Sequence, residues 1–370
     1  MTRILQVVTH MNRGGLETML MNYYRQIDRE QLQFDFLTHR PYRGDYGEEI
    51  ESLGGILYHL PRLNPISSGY KKALHQFFVQ HPEYRVIHVH QDCLSSVILK
   101  AAKECGVKVR IAHSHCSSQD KDLKYPVKLF YRRFIPEYAT EMMACGKEAG
   151  NWMFGGAPFL ELKNAIHTEE YIYHSGKRQE MRDQLGFTED ELIVGHVGRF
   201  SPQKNHIYLI DIFSQIKIRN PDSKLLLVGD DQGELADTIK RKVTDLGLAD
   251  SVVFTGLRSD VADLMQAMDV FVFPSNYEGL PVTMIEAQAA GLPCLISDKV
   301  PIECKVTELV QQISLAEGAE VWAERAIAAA KETVREDTGT QIKAAGYDIE
   351  ENAKWLQDYY HSAFERVENR

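Results

Sequence analysis

The feature that most restricts this chain is a regular alternation of short apolar or β-branched runs with longer stretches of helical period. Runs at 4–9, 34–37, 56–60, 86–90, 107–112 and 141–144 form one series. A second series follows at 192–197, 224–228, 252–255, 270–273 and 293–297, with helical patterns such as 207–217 and 235–246 between its members. Strands that alternate with helices build βα units on a parallel sheet. Two such series predict an α/β chain of two doubly wound domains, and 370 residues at about 150 per domain leave room for both. Between the series, 163–191 is polar and lacks a strand signal, so the hinge is expected near its start. A periodic apolar stripe of Ala353, Leu356, Tyr360, Ala363 and Val367 predicts one amphipathic helix in the tail.

Composition narrows the function classes. A hydrophobic fraction of 44% with 25% charged residues is ordinary globular usage and excludes disordered, collagen-like and coiled-coil chains. The net charge of −10 argues against a nucleic-acid partner held by a broadly basic surface. No run of about 18 apolar residues lacks a charge, and the first residues lack a signal-peptide core, so the expectation is a cytoplasmic chain. Cys93, Cys105, Cys116, Cys145, Cys294 and Cys304 show no Cys-x-x-Cys pair and read as reduced, core-filling thiols.

In open α/β sheets ligands bind beyond the carboxyl ends of strands, so the residues after each strand carry the functional information. After the first strand stand Arg13, Gly14, Gly15 and Glu17, a pair of glycines that lets an anion approach backbone at a helix start. A tight turn without ligand explains the same glycines. In the second domain Gly198, Arg199 and Lys204 follow a strand, and a guanidinium fork with an ammonium complements a diphosphate. After the strand at 270–273, Glu278 lies in a loop and Glu286 farther along in a helix, where both carboxylates can accept sugar hydroxyls. Gly279 and Leu280 offer backbone N–H groups near that helix start.

Gly-Arg-Phe followed by Lys-Asn, Leu-Leu-Leu-Val-Gly at 225–229, Val-Phe-Thr-Gly at 253–256, and Glu278 and Glu286 within Pro-Ser-x-x-Glu-Gly-Leu-Pro-x-x-x-x-Glu-Ala resemble glycosyltransferase family 4. The segment Arg-Ile-Ala-His-Ser-His at 110–115 resembles members that build capsular or exopolysaccharides. The resemblance implies the GT-B architecture, with two Rossmann-like domains facing a cleft and a C-terminal helix that crosses back to the first domain. The implied division is 1–165 plus about 355–370 for an acceptor-binding domain, and 166–354 for a nucleotide-sugar domain. It also implies that Arg199 and Lys204 bind the diphosphate, that Glu286 meets the ribose, and that Glu278 lies near the donor sugar. Gly229 and backbone groups of Arg258 would line the nucleotide, and Gly14 and Gly15 would approach it from the first domain. The family places a histidine near the donor sugar. His115 matches that position if His113 takes the place of a threonine, and His113 is the alternative. Ala165 stands where the hinge commonly has glycine, and Asp230-Asp231 replaces a more usual Gly-Asp-Gly.

The implied reaction is retaining transfer of a sugar from a nucleotide-sugar, expected to be a UDP-sugar, to a glycan or lipid-linked saccharide. The leaving phosphate would take the acceptor's proton. Two fixed cations can stabilise the leaving diphosphate, and no Asp-x-Asp stands at a plausible metal site, so neither metal nor cofactor is expected. Residues 121–134 interleave Lys121, Lys124, Lys128, Arg132 and Arg133 with apolar side chains, which suits peripheral contact with an anionic membrane. A solvated helix face explains the same pattern. A GT-B nucleotide-sugar epimerase and a non-catalytic two-domain sugar-binding protein are the competing functions.

Overall fold

The computed structural model of the chain describes residues 1–118 and 123–368. Two compact units are present: Met1–Ala165 together with the tail from Ile349, and Ile166–Asp348. Each is a parallel sheet carrying helices, and each is described by itself.

The first unit contains β1 (Thr2–Val7), β2 (Leu32–Thr38), β3 (Leu57–His59), β4 (Val86–Val89), β5 (Val109–Ser114), β6 (Glu141–Ala144) and β7 (Leu160–Glu161), in the spatial order β3-β2-β1-β4-β5-β6-β7. Every pairing is parallel. Chain order reverses between β1 and β4, which is where a doubly wound sheet opens a crevice. Strand β2 is buried at all seven positions and β4 at all four. Helices cover both faces of a parallel sheet, so the polar side chains of Gln33 and Asp35 in β2 and His88 in β4 are buried along with their apolar neighbours.

The tail helix, Ile349–Glu368, belongs to this unit. Ala353, Leu356, Tyr360 and Ala363 are buried, as the stripe predicts, while the side chain of Val367 lies outside the described residues. Tyr360 packs edge-on against Phe34 with ring centroids 5.9 Å apart. The Asp28 N–H donates to the Gln357 side chain at 2.8 Å.

In the second unit β8 (Leu192–Val197), β9 (Ser223–Val228), β10 (Val252–Phe254), β11 (Val270–Phe273), β12 (Cys294–Ser297) and β13 (Val310–Ile313) take the order β10-β9-β8-β11-β12-β13. Here the switch falls between β8 and β11. Leu209, Ile212, Phe213 and Ile216 of helix His206–Arg219 pack with Trp322, Ala323 and Ala326 of helix Gly318–Glu332 over one face of the sheet.

The short strands β7 and β13 were not legible as strands, and the run expected at 107–112 is displaced to Val109–Ser114. The polar stretch after Lys163 folds into helices Thr168–Tyr171 and Ser175–Leu185 rather than a plain linker. The reading of all six cysteines as core is corrected in part. Cys93, Cys145, Cys294 and Cys304 are buried, but Cys105 and Cys116 are only partly so, because both stand in connections just beyond a helix or strand end.

Candidate functional site

In the second unit the loops after β8 and β11 are joined to each other at the switch point. The Asn276 N–H donates to the Gln203 carbonyl at 2.7 Å, and the Asn276 amide donates to the Pro202 carbonyl at 2.7 Å. The Asn205 amide donates to the Pro274 carbonyl at 3.1 Å. These bonds hold Lys204 against Glu278. The Lys204 Nζ donates to Oε1 of Glu278 at 2.8 Å and stands 4.4 Å from the centre of the Phe273 ring. The other carboxylate oxygen of Glu278 accepts from the Gln203 amide at 2.9 Å. The two expected cations therefore differ in state: Lys204 is already engaged by a buried carboxylate, while Arg199 is exposed and its side chain has no ion pair among the described residues.

The loops after β8, β9 and β10 meet backbone to backbone. The Gly198 N–H donates to the Val228 carbonyl at 2.9 Å, and the Gly229 N–H to the Gly256 carbonyl at 3.0 Å. At Gly229 φ is 151°, and a Cβ there would lie 2.2 Å from the Gly198 carbonyl oxygen, so only glycine fits this approach. Beyond β10 the Arg258 guanidinium forms a fork with the Asp260 carboxylate, which fixes the loop whose backbone the resemblance assigns to the base.

Gly279 and Leu280 precede the helix they were expected to start: it spans Val282–Ala289, with Pro281 as its cap. Glu286 sits in that helix, 5% exposed, and accepts from the Tyr171 hydroxyl at 2.9 Å. Burial pushes its carboxyl up to about 7, against the Tyr171 hydrogen bond, which favours the charged form.

In the first unit Gly14 caps helix Gly15–Gln26 with an extended backbone, and Glu17 in its first turn stands 3.2 Å from His10. A Cβ at Gly14 would lie 2.6 Å from a Glu17 carboxylate oxygen, whereas one at Gly15 would meet nothing within 4 Å. The space over Gly15 is open.

His113 and His115 are not isolated. His113 is buried at the end of β5 and His115 follows it, partly accessible, with ring centres 4.0 Å apart. Two further histidines escaped the sequence reading. Register pairs Gln6 of β1 with His88 of β4, and His90 follows β4. His88 bonds His113 at 3.1 Å, and His90 bonds His115 at 2.8 Å. His88 also meets the Tyr360 hydroxyl at 2.6 Å, and His90 meets the Gln6 amide oxygen at 2.9 Å. Burial drives His88, His90 and His113 well below the usual imidazole range and His115 to about 3, so all four are neutral near pH 7. One nitrogen from each of His88, His90 and His113 falls within 4.8 Å of the others, a grouping with metal-ligand chemistry, although the inter-imidazole hydrogen bonds already engage nitrogens of this set. The signal was present as His-x-His at 88–90 matched by His-x-His at 113–115 on neighbouring strands.

Both units thus gather polar groups at the carboxyl ends of their sheets. Residues 177–345 match the sequence profile described as glycosyl transferases group 1. EpsF of Bacillus subtilis (strain 168), named as a glycosyltransferase, is 37% identical to all of this chain over 98% of its own length. The UDP-Gal:alpha-D-GlcNAc-diphosphoundecaprenol alpha-1,3-galactosyltransferase of Escherichia coli is 29% identical over 58% of each chain. Among solved structures, Anabaena HepE in complex with UDP and glucose superposes with a TM-score of 0.82 over 98% of this chain and all of its own, at 18% identity. The chain belongs to the group 1 glycosyltransferases and has the GT-B fold.

Proposed function

We propose that this glycosyltransferase is of the retaining, family 4 type, and that it moves a sugar from a UDP-sugar to a glycan or lipid-linked saccharide during capsular or exopolysaccharide synthesis. The observation that carries the reading is the pairing of loops at the β8–β11 switch point, which sets Lys204 on Glu278 and leaves Arg199 uncompensated beside it in sequence. An arriving diphosphate meets the exposed guanidinium and competes with Glu278 for the ammonium. As the anomeric bond breaks, negative charge grows on the leaving phosphate, and preorganised cations stabilise that charge. Glu278, released from Lys204, is then available to sugar hydroxyls. Glu286 accepts from the ribose, and the loop around Gly229 and Arg258 lines the base. The leaving phosphate takes the acceptor's proton, so no carboxylate nucleophile is needed and the anomeric configuration is kept.

The UDP assignment draws support from HepE, solved with UDP, and from the E. coli relative, whose name specifies UDP-Gal and a diphosphoundecaprenol acceptor. For a lipid-linked acceptor the first unit offers helix Tyr125–Arg132, which has no buried residue. Leu123, Val127 and Phe130 are exposed near Lys124 and Lys128, which suits an anionic bilayer surface. Arg132 is drawn inward, donating to the Trp152 carbonyl at 2.8 Å, and Lys121 lies outside the described residues. No helix among the described residues is long and apolar enough to cross a membrane.

A panel of nucleotide-sugars screened by thermal shift tests the donor, because a ligand that binds only the folded chain raises its melting temperature by mass action. A UDP-sugar is expected to give the largest shift, and the product anomer read by NMR is expected to match the donor. No shift with any nucleotide, or an inverted product, would contradict the reading.

A further inference from the structure

The four clustered histidines, three of them buried, form two chains that start at one side-chain amide. Through its nitrogen, Gln6 donates to the Tyr360 hydroxyl at 3.2 Å, and its oxygen takes a bond from His90 Nε2. A neutral imidazole has one N–H and one lone pair, so each bond fixes the next. His90 carries its proton on Nε2, and its Nδ1 accepts from His115 Nε2–H. On the other branch the Tyr360 hydroxyl, having accepted from Gln6, donates to His88 Nδ1, and His88 Nε2–H then donates to His113 Nδ1. All four rings are thereby Nε2–H tautomers. Reversing the amide would convert every one to Nδ1–H.

We propose that Gln6 and Tyr360 are positioning residues that lock these tautomers, so that the first unit presents His113 Nε2–H as a donor and His115 Nδ1 as an acceptor. Neither atom has a hydrogen-bond partner among the described residues, and His113 Nε2 is buried, where an unpaired donor carries a desolvation cost. That cost is recovered when a substrate oxygen supplies the missing partner. A sugar hydroxyl is a group of matching chemistry, since it can accept from an imidazole N–H and donate to an imidazole lone pair. The role in transfer rests on the function proposed above, but the tautomer lock does not.

Long-range nitrogen–proton spectra of the whole chain, made with isotopically labelled histidine, read each tautomer without any donor or acceptor present. Four Nε2–H signals are expected for His88, His90, His113 and His115, and Nδ1–H or mixed signals would overturn the lock. In Gln6→Glu the carboxylate accepts from both His90 and Tyr360. His88 and His113 should then switch to Nδ1–H while His90 and His115 keep Nε2–H, and unchanged tautomers would overturn the proposal. With the preferred donor sugar, kcat of that variant is expected to fall about tenfold or more with KM within about twofold. A clean tautomer reversal with unchanged kcat would remove the positioning role and leave the transfer reaction standing. Stoichiometric uptake of added Zn²⁺ with collapse of the four signals would identify a metal site instead. If Gln6→Glu fails to fold, the wild-type tautomers decide.

Discussion

At the scale of single residues, Glu286 shows how the candidate site works against the stability of the empty chain. Its carboxyl is buried and raised from 4.5 to about 7, so the folded chain holds a proton that the unfolded chain releases. The stability it contributes is fully present below about 4.5 and is lost as pH rises through about 7. At roughly 1.4 kcal/mol per unit the loss is on the order of 3 kcal/mol. Glu286→Gln, which keeps an acceptor for Tyr171, should therefore melt nearer to wild type at pH 4.5 and clearly above it at pH 8. A pH-independent difference in melting temperature would remove the buried carboxyl from this account. Arg199 is the opposite case. Exposed and unpaired among the described residues, it can be lost with a stability change within about 0.5 kcal/mol, yet Arg199→Ala is expected to cut turnover by roughly two orders of magnitude. Turnover within a few-fold of wild type would cancel its diphosphate role.

Elements explain which parts of the site could be read in advance. Arg199, Lys204, Glu278 and Glu286 were legible because each follows a strand whose apolar run is plain, and a strand's carboxyl end is where an open sheet places ligands. The Lys204–Glu278 ion pair was not legible, since it depends on how two loops bond across the switch point. Gln6, His88, His90 and Tyr360 were missed for a related reason. Strand register places Gln6 beside His88, and the Tyr360 hydroxyl arrives from a helix 272 positions further along the chain. Periodicity predicted that helix's apolar stripe but carried no information about which hydroxyl would meet an imidazole. Glycines separate at this scale too. Gly229→Ala places a Cβ against the Gly198 carbonyl and should cost about 1–3 kcal/mol, visible as a lower denaturant midpoint. Gly15→Val enters open space, so the midpoint should stay near wild type and UDP affinity should persist while turnover falls. Loss of UDP binding in Gly15→Val would move the nucleotide to the first unit.

For the whole molecule, the duplicated α/β pattern foretold two parallel sheets, and the end strands β7, Leu160–Glu161, and β13, Val310–Ile313, escaped because one holds a single apolar residue and the other two glutamines between its apolar ends. The division of labour proposed for the two units has a consequence for metals. With Arg199 and Lys204 to meet the leaving diphosphate, transfer should continue in excess EDTA, and activity that vanishes with chelator and returns with Mg²⁺ or Mn²⁺ would contradict that proposal. The central claim is that the chain passes a sugar to an acceptor rather than merely binding, hydrolysing or epimerising a nucleotide-sugar. Release of UDP from the preferred donor, followed with and without a lipid-linked saccharide acceptor, tests it most directly. The account predicts release that is slow alone and rises at least tenfold with acceptor, in step with glycosylated product. Equal release in both conditions, or none in either across the donor panel, would contradict it.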